Sequence, residues 1–134
     1  MNQPGENLVT SAFGQYLVTH EHVEVLNTIF QEYPEIDNGF LSVSISVRSF
    51  FIQLLAETAL AVEAALAAEN IPEAITVPEV VEAVYRVKDI EREGFDLMWL
   101  RNKIETIRGQ LNESFLAVAN EANQRMAQLN AAQF

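Results

Sequence analysis

Residues 100–133 read LRNKIETIRGQLNESFLAVANEANQRMAQLNAAQ, and the spacing of their apolar positions decides the architecture. Leu100, Ile104, Ile107, Leu111, Phe115, Val118, Ala122, Met126 and Leu129 recur in steps of 4, 3, 4, 4, 3, 4, 4 and 3, and a last step of 4 closes at Gln133. That is an eleven-residue repeat on one helical face. A seven-residue template starts well from Leu97 but then places Ser114, Glu121, Arg125 and Gln128 in the seam. A period near 3.67 residues per turn implies straight or slightly right-handed packing rather than a left-handed supercoil. A helix over 96–132 is predicted, and from Asp96 to the chain end it would span roughly 57 Å at about 1.5 Å per residue. A compact domain of this size is only about 30–35 Å across. The helix is therefore expected to project beyond its own fold or to pack against copies of itself.

The polar flanks of this helix are amides rather than charged pairs: Asn102, Gln110, Asn112, Asn120, Asn123, Gln124, Gln128 and Asn130. Solvated single helices usually carry Glu–Lys pairs four residues apart. Amide flanks suit contacts inside an assembly, where an unpaired charge is costly; ordinary polar surface is the plainer reading. The expected interaction residues are Leu100, Ile104, Ile107, Leu111, Phe115, Val118, Met126 and Leu129. Phe95 and Trp99 join them, because with Met98 they form an aromatic cluster beside Gly94, off the main stripe. Packing against the bend at Gly94 is the alternative role for that cluster. Leu111→Asp is expected to break assembly by placing a charge in the seam.

Working outward, Thr76 stands three residues before Glu79, with Pro78 between them. That spacing is a capping box with proline in the first turn, so a helix over 77–93 is predicted. Gly94 ends or kinks it, and Asp96 can cap a fresh start. Residues 47–69 form the most apolar stretch, rich in Ala and Leu, and read as a buried central helix. Arg48, Glu57, Glu63 and Glu69 interrupt it short of the roughly 20 clean residues of a membrane span, so a membrane role is not expected. A helix over 11–33 follows from Phe13, Tyr16, Leu17, Val23, Leu26, Phe30 and Tyr33, with Pro34 as its stop and Asp37-Asn38-Gly39 as a turn. Between them, Leu41, Val43, Ile45 and Val47 alternate with serines, which is a strand signal. No second run of that quality exists to pair with it. The stretch 41–47 is thus either a short strand or the start of the next helix. Residues 1–10 read as an extended N-terminal arm. The expected fold is an all-α bundle or hairpin in one domain over 11–134, with a long projecting C-terminal amphipathic helix.

The composition narrows function. Hydrophobic residues make up 49% of the 134, which excludes disorder. Nineteen acidic against eight basic residues leave a formal charge of −11. A nucleic-acid partner is not expected, since phosphate binding needs clustered Lys and Arg; an anionic membrane surface is disfavoured for the same reason. With no cysteine, disulfides and thiolate metal sites are excluded. His20-Glu21-His22-Val23-Glu24 holds both histidines. His20 and Glu24 share a helical face, with His22 expected in solvent, and no third histidine exists to complete a metal site. No catalytic, cofactor-binding or metal-ligating residue is assigned. No secretory signal is visible at the start, so a cytoplasmic or virion-associated location is expected.

Two resemblances bear on this. Glu79-Val80-Val81-Glu82, with Asp89, Glu91 and Glu93, resembles the paired acidic helices of all-α nucleotide pyrophosphohydrolases. The second acidic pair those enzymes use for magnesium is missing at a fitting distance, so the first pair is better read as acids favoured by a helix N-terminus. The helical, Asn/Gln/Ala-rich, cysteine-free character resembles the small virion and internal proteins of tailed phages. That resemblance implies a structural protein that assembles with itself. The expectation is therefore a non-enzymatic homo-oligomer; the alternative is an acidic adaptor, secretion chaperone or inhibitor that binds a heterologous protein.

Overall fold

The computed structural model describes residues 7–132. It is mostly helical, with five helices and one two-stranded sheet among the described residues. A hairpin of β1 (Leu8–Ser11) and β2 (Gly14–Leu17) leads into α1 (His20–Glu32), α2 (Ile45–Ala67), the single turn α3 (Ile71–Ala74), α4 (Val77–Arg92) and α5 (Met98–Ala132).

The hairpin corrects the helix expected from residue 11. Val9 pairs with Tyr16 in an antiparallel register, and Val9, Tyr16 and Val18 are buried. Phe13 and Leu17, counted toward the helical stripe, are exposed instead. The turn is fastened by its own first residue, because Phe13 N–H donates to Ser11 Oγ at 3.1 Å, the local side-chain bond that favours serine in turns. Of the expected extended arm 1–10, residues 1–6 lie outside the described residues and Leu8–Thr10 belong to β1.

The ambiguous stretch 41–47 forms no strand. Residues 40–44 carry no regular structure and α2 begins at Ile45. The alternating Leu41, Val43, Ile45 and Val47 are all exposed. With no partner strand for its backbone, the segment yields to the helix after it, where each N–H finds a carbonyl within its own chain.

α2, α4 and α5 fall on the stretches expected to be helical, whereas the single turn α3 was not expected. Thr76 caps α4 with both halves of the capping box formed. α4 runs antiparallel to α2, with Arg86 paired to Glu57 at 3.5 Å. It also runs antiparallel to α5, with Glu91 paired to Arg101 at 3.1 Å. α2 and α5 are consequently parallel and are joined by Lys103 and Glu63. The core lies between these three helices: Ile52, Leu55, Val62, Val87, Ile90, Leu100, Ile104 and Ile107 are buried together, and Val9, Tyr16, Leu26 and Phe30 extend it under the hairpin and α1. α2 is long and apolar enough to cross a membrane by length and composition, yet its inward face is this shared core.

Gly94 ends α4 at φ +101°, a conformation open chiefly to glycine. There the chain presses against the Asp37–Gly39 turn. A Cβ on Gly94 would stand 1.7 Å from the Gly39 carbonyl oxygen, and Leu41 N–H donates to Glu93 O at 2.8 Å beside it. The interruption is a true break. Asp96 restarts the chain as α5 by accepting from Met98 N–H at 3.3 Å.

Candidate interaction surface

The predicted interaction residues separate into two groups along α5. Leu100, Ile104 and Ile107 are buried in the chain's own core, and Leu111 is half-buried at its edge. Past Leu111 nothing among the described residues covers the same face. Phe115 is 73% exposed, Val118 63%, Met126 62% and Leu129 65%. The physical reason is length. α4, which covers the stripe, starts at Val77 near Leu111 and Asn112, with which it lines a common groove. α5 continues for the 21 residues 112–132, about 32 Å of helix, beyond that end.

Phe95 and Trp99 belong to the fold. Phe95 is buried and meets Phe40 edge-on with ring centroids 4.6 Å apart. Trp99 stacks on Tyr33 at 4.5 Å, with Lys103 Nζ 5.7 Å from its ring centroid. Phe95 thus packs on Phe40 and the half-buried Trp99 on Tyr33, and their neighbour Met98 is exposed. A shallow cleft of about 510 Å³ lies beside them, between Tyr33, Pro34, Ile36, Asp96 and Met98.

Two further features were not legible as sites. The first is a groove of about 310 Å³ between α4 and α5, lined by Val77, Val81, Val84, Tyr85 and Leu111, where Val77, Val81 and Tyr85 are exposed. It adjoins the point where the α5 stripe leaves the body. The second is a polar cluster under the hairpin. The Ser11 and Tyr16 hydroxyls both donate to Oδ2 of the buried Asp37. Arg48 Nη2 donates to the Tyr16 hydroxyl at 3.0 Å and to Phe13 O at 3.3 Å, and its guanidinium lies over the Phe40 ring at 4.8 Å. Burial, then the bond to Asp37, pushes the Tyr16 phenol up to about 12. These hydrogen bonds clamp the hairpin, the turn and α2 together. The cluster's only sequence signal was a lone Arg48 entering an apolar helix and an aspartate in a turn.

The histidines exchange their expected places. His22 is buried, with Nδ1 3.0 Å from Thr19 Oγ1, and His20 is exposed. With the helix starting at His20 rather than residue 11, His22 sits in the first turn, facing the body. Among the described residues no three His, Cys, Asp or Glu side chains come close enough to hold a metal ion.

No protein-family model matches the chain, and comparison with curated proteins and with solved structures finds no match.

Proposed function

We propose that this chain is a non-enzymatic assembly protein that forms a homo-oligomer through the projecting half of α5. The observation that carries the reading is the row Phe115, Val118, Met126 and Leu129, exposed on the continuation of the face whose first half is core. A helix half-covered by its own domain and apolar beyond it is an unfinished interface. The formal charge of −11 supports a protein rather than a nucleic-acid partner. A small virion component is the setting that the likeness to phage virion and internal proteins favours.

Light scattering coupled to size exclusion tests this. A mass of at least twice 15.0 kDa at micromolar concentration is expected. Val118→Asp is expected to return the protein to a monomer with unchanged helical circular dichroism, because Val118 lies outside the core. A wild-type monomer at that concentration would overturn the reading. Leu111→Asp is the weaker test, since the half-buried Leu111 packs on the core as well.

A second reading, the acidic adaptor, draws on a different patch. Leu41, Val43 and Phe50 are exposed together around the start of α2, beside Glu93 at the C-terminal end of α4, at the opposite end of the bundle from the overhang. It predicts a monomer that forms a stoichiometric complex with one heterologous protein and loses it on Val43→Asp.

A further inference from the structure

The exposed stripe has a symmetry of its own. Taken from Ala122, Val118 and Met126 stand four residues to either side, and Phe115 and Leu129 seven residues to either side. We propose that two copies pair through residues 112–132 of α5 in antiparallel orientation, about a two-fold axis at Ala122. The proposal rests on the assembly reading above and specifies its geometry. Reversing one helix about Ala122 sets Phe115 against the partner's Leu129 and Val118 against the partner's Met126. Every large apolar residue of the seam then meets another, and the smallest side chain falls at the axis, where two copies of one residue meet. An isologous contact of this kind closes on itself.

Charge favours a second copy as the occupant. Residues 112–132 hold Glu113, Glu121 and Arg125, a net charge of −2 + 1 = −1, although the whole chain carries −11. Self-repulsion, which opposes association of an acidic protein, is thus small along this segment. Glu121 and Arg125 already pair at 2.7 Å and lie on one flank of the stripe. Antiparallel packing brings equivalent flanks together, so Glu121 comes within reach of the partner's Arg125, and Arg125 of the partner's Glu121.

The area is also of the right order. The four large seam side chains carry on the order of 100 Å² of apolar surface each. At the roughly 57% apolar share of ordinary interfaces, that corresponds to about 700 Å² per copy, against about 800 Å² per partner in a stable complex. In this arrangement the partner's helix continues the row of α4 and runs in the same direction.

The chain has no cysteine, so single cysteines report the geometry directly. Under diamide, A122C is expected to form a disulfide dimer in high yield. Q124C, on the far side of the helix, is expected to stay monomeric on a denaturing gel. L129C alone is expected to give little dimer, because two copies of residue 129 would lie about 21 Å apart along the axis. Mixed with a size-tagged F115C chain, it should give the heterodimer. Homotypic cross-linking of L129C as complete as that of A122C would mean parallel packing and would overturn the proposal. So would equal yields from A122C and Q124C, or an oligomer by light scattering with no cross-link at A122C. In each of these cases the assembly reading stands as long as light scattering of the unmodified chain shows an oligomer. A monomer in that measurement removes both.

Discussion

Gly94 is where one residue does most to hold the layout of the chain. Its φ of +101° costs any other L residue about 1–3 kcal/mol. The added Cβ would also run into the Gly39 carbonyl, a backbone atom that cannot rotate away. Gly94→Ala is expected to destabilise the fold by about 3 kcal/mol or more, read as a lowered urea midpoint by circular dichroism. Gly109 is the contrast. It lies in mid-helix with open space around its Cα, so Gly109→Ala is expected to raise stability by up to about 1 kcal/mol. Equal effects at the two positions would show that the Gly39–Gly94 contact does not constrain the fold. The glycine at 94 could be read in the sequence as a breaker, but its contact with Gly39, 55 positions away, could not. Tyr16, Asp37 and Arg48 are alike in this respect, since residues distant in sequence become a cluster only when the hairpin is laid over the turn and α2.

Among the elements, α4 was the most legible, because its start is specified by neighbours. Thr76 Oγ1 accepts from Glu79 N–H at 3.3 Å, and Thr76 N–H donates to Glu79 Oε1 at 3.0 Å. The hydrogen bonds from Thr76 hold the Glu79 carboxyl below the ordinary carboxylate range. Removing the hydroxyl by Thr76→Ala, which leaves the backbone N–H bond to Glu79 in place, is expected to cost about 1 kcal/mol and to raise the Glu79 pKa part of the way, followed by carboxyl NMR. The sign follows from the depressed value: the capping contribution is present above the ordinary carboxylate pKa and is lost as pH falls through the folded one. An unmoved Glu79 titration in the variant would remove the Thr76 hydroxyl as the main cause. The hairpin was the least legible element. Phe13, Tyr16 and Leu17 fit a helical period by chance, and only burial of Val9, Tyr16 and Val18 on one side of two short strands separates the two readings. The Leu41–Val47 alternation erred in the other direction, since a period of two makes a strand only where a second strand supplies its hydrogen bonds.

For the whole molecule, the division of α5 predicts that the body folds without the overhang. Among the described residues, every buried apolar residue of the core lies between Val9 and Ile107. A chain ended after Asn112 is therefore expected to unfold cooperatively, with near-native helicity in the body, and to be monomeric by light scattering. Loss of cooperative unfolding would mean that the overhang stabilises the domain through self-association.

The local spacing of residues was enough to determine that the chain is helical, where α4 starts, that Gly94 interrupts, and that one apolar stripe runs from Leu100 to Leu129, because each depends on neighbours a turn or two apart. Tertiary structure alone decided which part of that stripe is core and which is surface. A helix presents the same face along its whole length, and only the place where α4 begins, at Val77 near Leu111, determines how much of that face is covered.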